Sequence, residues 1–383
     1  MSGLAALSYA AEMDVLIAGA GIGGLALAGG LVRDGHAVRV LEAAPALREG
    51  GAAVTIYSNG GAALDGLGAP LPDGIGGRID RMVSRDDRDR PILQFDLTVL
   101  RRRTGCPVVT VPRDRLLRRL AEGLPEGTIA YDHPVESVQD GALVDATGRI
   151  HRADVVVGAD GARSAVRRGV LGGPPAREVG WTTWQGLTPV LPEIAAGSTA
   201  RLYVGPAGLV GLMPAGNGLL QWWFDVNSPE PEPDLRARFA GYPPPVRALL
   251  GSFEDRDLGR FPHVVHEVTD VWGAGTATLL GDAAHAFPPS QAQGANQALE
   301  DAWLLRETLR GGGSPDRLRE YERLRAQRVR KVARMAVRET TNKPVGPLTR
   351  RLVSLVPPAM AGHGYHGLVK SFSSVLSGDR VAG

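Results

Sequence analysis

One cysteine, three lysines and few aromatics set the first limits on this chain of 383 residues. With Cys106 alone, no internal disulfide and no cysteine-based metal site can form, and a reducing cytoplasm is the expected location. The lysines are Lys331, Lys343 and Lys370, all in the last sixth of the chain, so a Schiff base would have to draw its amine from there. Neither sign of charge dominates. Lys plus Arg number 43 against 41 Asp plus Glu, a formal charge of +2 without the basic footprint of a nucleic-acid binder. No apolar run reaches the length of about 18 residues that a membrane helix needs, so neither nucleic acid nor membrane is an expected partner. Met1 to Glu12 lacks the basic start and long apolar core of a secretory signal. It reads as a loose extension, with Met13 as an alternative start. What is present, 43% hydrophobic residues, suffices at this length for two or three domains around a core able to enclose a cofactor.

The opening pattern is βαβ. Asp14 to Ala18 is a β-branched run into glycines, Ile22 to Arg33 has helical spacing, and Ala37 to Leu41 is a second strand. A hairpin, Arg78 to Arg85 and Pro91 to Leu97 around the charged turn Asp86 to Arg90, then interrupts it, before helical leucines at Arg113 to Glu122. After the buried run Asp154 to Val157 come alternating segments at Trp181 to Leu191, Ala200 to Val204, Leu209 to Pro214 and Leu219 to Val226, a strand-rich insert. Thr276 to Leu280 returns to the buried-strand pattern, and Asn296 to Leu309 and Asp316 to Arg338 read as long helices joined by the linker Gly311 to Ser314. The expected domains are therefore 13–74, 102–178 and 268–340 for a discontinuous dinucleotide unit, 75–101 and 179–267 for the insert, and 341–383 for a helical tail. In that tail Leu348 to Val356 alternates basic and apolar residues, and Leu368 to Leu376 reads as a last short helix docking on its own domain or a second subunit, with a helix closing its own domain preferred over a membrane anchor. The oligomeric state is left open.

Three motifs carry chemistry. Gly19-Ala20-Gly21-Ile22-Gly23-Gly24 follows a strand and opens a helix, where glycines let backbone approach a pyrophosphate and free amides stabilise its charge. Glu42 ends the second strand, placed to accept hydrogen bonds from both ribose hydroxyls. The second motif runs from Val155 to Arg167 through Asp160-Gly161, where Asp160 also suits a cap on a helix beginning near Ala162. The third is Gly281-Asp282-Ala283-Ala284-His285 with Pro289 to Asn296 leading into a helix. The first motif alone leaves NAD and FAD both open.

In order and spacing these motifs resemble the single-component (class A) flavoprotein aromatic hydroxylases, the family of 4-hydroxybenzoate and salicylate hydroxylases, over residues 14 to 340. The resemblance implies an α/β fold: a Rossmann-like FAD-binding domain with an inserted β-sheet substrate domain and C-terminal helices. It implies that Gly19, Gly21, Gly24 and Glu42 hold the adenosine half of FAD and that Asp282 holds a ribityl hydroxyl. The Gly294, Ala295 and Asn296 backbone would lie on the pyrimidine edge of the flavin, a setting suited to amide donors because reduced flavin is anionic there. Arg113 and Arg48 match family arginines near the dinucleotide, and Asp160 with Arg163 matches a motif serving both FAD and NAD(P)H. His285 matches a turn-closing histidine, structural in role. Ala292 departs from the family, which commonly has glycine there.

The implied reaction uses FAD, with NAD(P)H as a transient reductant, and O2 forming a flavin C4a-hydroperoxide whose terminal oxygen hydroxylates or epoxidises an aromatic ring. A protein that only orients substrate and excludes water around such a cofactor needs no catalytic triad or metal, and none is expected. The insert holds Trp181, Trp184, Trp222 and Trp223, and alternation puts Leu219, Gln221, Trp223 and Asp225 on one face with Trp222 and Phe224 on the other. Substrate-pocket candidates are Leu209, Gln221, Trp223 and Pro289. Leu209 and Gln221 stand where the urate branch of the family has an arginine and a tyrosine, so urate is not the expected substrate. A larger, apolar aromatic or heteroaromatic ring is. A halogenase would need a mid-chain lysine and a Trp-x-Trp-x-Ile-Pro stretch, both lacking. A flavin oxidase or dehydrogenase of the same fold is the alternative, and a flavin-binding regulator a more distant one.

Overall fold

The apolar runs around the first glycine motif assemble into one parallel sheet. In the computed structural model, which describes residues 12–227, 233–338 and 346–381, its order is Ala277–Leu279, Val155–Gly158, Asp14–Ala18, Ala37–Leu41 and Ile129–Ala130. Parallel strands must be covered on both faces, which is why Val155–Gly158 and Ala277–Leu279 are apolar without alternation. Helix Ile22–Arg33 packs between this sheet and helix Gly294–Leu309 so closely that a Cβ on Gly23 would stand 2.5 Å from Leu280 and 3.2 Å from Ala298. Residues 1–11, which hold most of the Met1 to Glu12 segment, lie outside the described residues.

The insert forms a seven-stranded sheet ordered Gly259–Val265, Arg177–Thr188, Leu219–Asn227, Gly208–Gly216, Thr199–Gly205, Arg81–Asp86 and Pro91–Asp96. All its pairings are antiparallel except Thr199–Gly205 with Arg81–Asp86, where the early hairpin joins the later strands. Together with a separate parallel Rossmann-like sheet this is the α/β architecture read from the sequence.

Alternation sorts the large sheet into two faces. Trp222 and Phe224 face away from the parallel sheet, beneath helices Leu235–Phe239 and Pro244–Leu250, and both are fully buried. Trp222 stacks on Phe253 at 4.6 Å and donates Nε1–H to the Thr188 hydroxyl at 2.8 Å. The opposite face presents Met213 and Trp223 to an apolar cluster with Tyr57, Phe287, Ala292 and Tyr365. Tyr365 comes from the C-terminal helix Pro358–Ser371.

Several local expectations are corrected. Arg78 to Arg85 is not one strand: Gly77–Arg78 pairs with Val109–Pro112, and the chain changes sheets before Arg81–Asp86. The strand expected at Trp181 to Leu191 spans Arg177–Thr188, since Leu191 takes a left-handed φ of 48° at the start of Pro192–Ala195. The alternating tail segment is a helix, Pro347–Val353. Leu368 to Leu376 is split: the long helix ends at Ser371, and the Ser373 hydroxyl caps a separate turn, Ser374–Ser377.

Candidate cofactor and active site

Four glycines shape the end of the first strand, for different reasons. Gly19 has φ of +101°, and a Cβ there would lie 2.5 Å from the Ala159 carbonyl oxygen. A Cβ on Gly24 would lie 2.1 Å from the Gly19 carbonyl oxygen, and Gly23 is closed by Leu280. Gly21 differs. Its φ is −76°, and the only atom within 4.0 Å of an added Cβ is the Ala159 oxygen at that limit. Protein packing therefore explains Gly19, Gly23 and Gly24, while the room beside Gly21 is left for something else. The first intrahelical bond here is Leu25 N–H to Gly21 O at 2.9 Å, so the amides before it have no intrahelical acceptor, and no acid stands in the first turn. That is an anion cradle. At the end of the neighbouring strand, Glu42 accepts from Ala20 N–H at 2.6 Å and Ala44 N–H at 2.8 Å, one bond to each oxygen, which fixes the carboxylate while lone pairs remain for hydroxyl donors.

The second motif touches the first through Ala159, whose N–H donates to Ala18 O at 2.8 Å. One oxygen of Asp160 accepts from Ala165 N–H at 2.7 Å and Val166 N–H at 3.2 Å, while the other is buried with no partner among the described residues. The helix begins at Ala165, three residues after the expected start, because Ser164 caps it by accepting from Arg167 N–H. Arg163 is exposed. Arg113 is largely enclosed; burial and the nearby Arg48 lower its pKa while Asp282 opposes them, which puts the three side chains in one electrostatic neighbourhood. Arg113 Nε is buried without a partner. Asp282 is open to solvent on one side but ringed by protein on the others, and desolvation raises its carboxyl despite His285 and Arg113. A buried orphan acceptor at Asp160, a buried orphan donor at Arg113, the carboxylate of Glu42 at a strand end and two sets of free helix amides are a donor and acceptor set that fits FAD.

The third motif builds the remaining wall. Gln297 N–H is bonded to Gln293 O at 2.8 Å, so the Gly294, Ala295 and Asn296 amides precede the first bonded turn. The Asn296 side chain pins this turn: Oδ1 accepts from Tyr57 N–H at 2.8 Å, and Nδ2 donates to Thr55 O and Ala292 O, each at 2.9 Å. Ala292 has φ of +49° and ψ of 32°, the left-handed region where glycine is favoured, so the family's usual residue has a steric reason. His285 is fully buried and 2.6 Å from Asp301, which also accepts from Gly281 N–H and Arg325. Burial opposes ionisation of Asp301, but His285 and Arg325 outweigh it and hold its carboxyl at about 2. Arg325 also bonds Glu300, Gln297 and Ser374, tying the turn to the tail. His285 is thus tied into the turn through Asp301.

On the front face of the large sheet, Gln221 is spent within the protein. Its Oε1 accepts from Ala53 N–H at 2.6 Å and its Nε2 donates to Gln185 at 2.9 Å. Leu209 is buried opposite Asp225, Trp223 lies over Gly211 in the cluster with Phe287 and Ala292, and Pro289 is exposed at the start of the turn. Sequence reasoning missed Tyr57, Phe287 and Tyr365 as walls of this cluster, with rings of Tyr365 and Tyr57 5.7 Å apart. It also missed a buried polar group: Thr183 donates to Asp225 and lies 2.7 Å from His263 Nε2. With the hydroxyl proton committed to Asp225, a neutral His263 carries its proton on Nε2, and burial pushes its pKa down to about 4. Asp225 and His263 of this group, with Arg177, Glu178, Trp181 and Pro288, line a cavity of about 400 Å³. Elsewhere, Cys106 is bonded to Asp65, and burial followed by that acid pushes its thiol up to about 12, too high for a nucleophile.

Residues 12–336 match the family model described as FAD binding domain. An aurachin C monooxygenase/isomerase of Stigmatella aurantiaca is 33% identical over 82% of this chain and 86% of its own length. A 3-amino-4-hydroxybenzoate 2-monooxygenase of Streptomyces platensis is 33% identical over 90% and 92%. Among solved structures, Klebsiella pneumoniae HpxO complexed with FAD and uric acid superimposes with a TM-score of 0.79 at 28% identity, covering 97% of both chains.

Proposed function

Because this chain belongs to the FAD-binding single-component aromatic hydroxylases, we propose that it is a monooxygenase that uses NAD(P)H and O2 to hydroxylate or epoxidise an apolar aromatic or heteroaromatic small molecule. FAD, when bound and reduced, supplies the activation of O2 and the transfer of one oxygen atom. The residues of the chain do the rest. The Gly21 turn takes the pyrophosphate, Glu42 the adenosine ribose and Asp282 a ribityl hydroxyl, while Arg113, Arg48 and Asp160 complete the dinucleotide wall. The Gly294, Ala295 and Asn296 amides stabilise negative charge on the flavin's pyrimidine edge. Trp223, Met213, Phe287 and Ala292 exclude water and present an apolar surface to the substrate ring.

The observation that carries the substrate class is Gln221. Its amide is satisfied by Ala53 and Gln185, and its neighbour across the sheet is the thioether Met213, so this stretch of the front face offers a ring an apolar surface, with Asp225 and His263 supplying polar groups farther along the sheet. A small, polar, multiply hydrogen-bonding ring such as urate would lose more to desolvation there than it regains. The test is NAD(P)H oxidation by the yellow holoenzyme across a panel of rings. Indole-like, quinoline-like and polyketide-like compounds are expected to stimulate it; stimulation by urate and small benzoates alone would refute the substrate class.

A further inference from the structure

The tail helices, which both pack on the strand Pro91–Asp96, leave large apolar side chains in water. Leu348, Leu352 and Leu355 are 71%, 61% and 73% exposed, and Met360 is 63% exposed. Spacings of four and three put the leucines on one side of Pro347–Val353 and the turn that follows it. The next helix, Pro358–Ser371, buries Ala361, Tyr365 and Val369 beneath it and leaves Met360 and Leu368 outside. Of the eight exposed large hydrophobics among the described residues, five fall between Leu348 and Leu368. Scattered exposed leucines need no explanation, but a cluster on adjoining helices does.

The charge around this patch is predominantly basic, with Asp86 and Asp96 the acids paired to its arginines. Helix Thr98–Thr104, which packs against Pro358–Ser371, exposes Arg101, Arg102 and Arg103. The tail adds Arg350, Arg351, Lys370 and Arg380, and its single acid, Asp379, is bound to Arg328 at 2.6 Å. Asp96 takes Arg102 and Asp86 takes Arg350, which leaves Arg101, Arg103, Arg351 and Lys370 without an acidic partner among the described residues. Burial and then the nearby Arg103 and Lys370 lower the pKa of His366, which puts these two cations close together on the helix Pro358–Ser371 and its neighbour Thr98–Thr104. The whole chain carries only +2, so this corner is basic against a net acidic remainder.

We propose that the C-terminal helix pair is a docking surface for an anionic lipid bilayer, with Leu348, Leu352, Leu355 and Met360 entering the headgroup boundary and Arg101, Arg103, Arg351 and Lys370 on the headgroups. The helices of seven and fourteen residues are too short to cross a hydrocarbon core of about 30 Å, but a surface helix needs only an apolar face and basic flanks. The lack of a spanning run, from which no membrane partner was expected, does not bear on this mode. A second copy of the chain is the weaker occupant, because a two-fold contact centred on the leucines would bring Arg351 and Lys370 of both copies together. This inference does not depend on the substrate.

The test is flotation of the full-length holoenzyme with phosphatidylcholine vesicles, with and without phosphatidylglycerol, at low and high salt. Binding is expected only with phosphatidylglycerol and is weakened by salt. Each cation removed lowers partitioning about fivefold, so Arg101→Gln/Arg103→Gln/Lys370→Gln loses roughly a hundredfold. Leu352→Glu/Leu355→Glu abolishes binding while keeping its flavin absorbance and melting temperature, since both positions are exposed. Indifference of the wild-type protein to phosphatidylglycerol, or equal binding by both variants, overturns the proposal. So does a wild-type dimer by analytical ultracentrifugation that Leu352→Glu/Leu355→Glu converts to a monomer.

Discussion

Replacing Gly21 with alanine separates cofactor binding from folding. At φ of −76° alanine is unstrained, and nothing in the protein stands closer than 4.0 Å to its new methyl. The cost to the apo fold is that of a poorer helix cap, about 0.5–1 kcal/mol. The methyl instead occupies the space beside the free amides of the helix start. If it displaces the pyrophosphate from two charge-assisted hydrogen bonds at about 1.5–3 kcal/mol each, the loss is roughly 3–6 kcal/mol, or about 10²- to 10⁴-fold in FAD affinity. Gly24→Ala is the control: its methyl meets the Gly19 carbonyl at 2.1 Å, so backbone must move and the apo protein itself is destabilised, by about 1–3 kcal/mol. Purified apoprotein is titrated with FAD by flavin fluorescence quenching, and melting is followed in parallel. Wild-type FAD affinity in Gly21→Ala, or an apo melting loss as large as that of Gly24→Ala, would refute the reasoning.

Three further outcomes follow from the geometry. Ala292→Gly removes a left-handed alanine at a cost of about 1–2 kcal/mol but adds glycine's chain entropy of about 0.5–1 kcal/mol, so denaturant unfolding should show unchanged or slightly greater stability; a clear loss would mean that the methyl's contacts with the apolar cluster dominate. Arg325→Met leaves Glu300 and Asp301 buried without their cation and should destabilise the fold by about 3–5 kcal/mol, an effect that shrinks in acid as those carboxyls protonate. His263 titrates near 4 when folded against its usual 6.5, so its contribution is complete above 6.5 and is lost as pH falls toward 4, at most about 3 kcal/mol. His263→Gln should flatten the stability curve in that window, below which Asp301 takes over between 3.8 and about 2; a curve of unchanged slope would exclude His263 as its source.

The parts of the site legible in the sequence are those made by short-range rules. The glycine turn, the acid at the end of the second strand and the turn closed by His285 each depend on residues a few positions apart and on strand or helix ends that periodicity reveals. Ala292 could be singled out against the family, yet its left-handed backbone is what gives the difference a physical meaning. What stayed hidden is long-range. Nothing local to Gln221 shows that its amide is taken by Ala53, 168 residues away, or that Thr183 and His263, 80 residues apart, meet beside Asp225. Tyr365 reaches the front cluster only because the tail folds back over the sheet, a path that no pattern near residue 365 encodes. Alternation placed Trp222 and Trp223 on opposite faces, but which face was core depended on the helices after residue 233.

The central claim is oxygen insertion into an apolar ring, and turnover under 18O2 tests it most directly. The holoenzyme is supplied with NAD(P)H and a ring that stimulates its oxidation, and the product is read by mass spectrometry. The account predicts one labelled oxygen atom in the organic product. Substrate oxidation with the label confined to hydrogen peroxide would contradict it and make the chain a flavin oxidase.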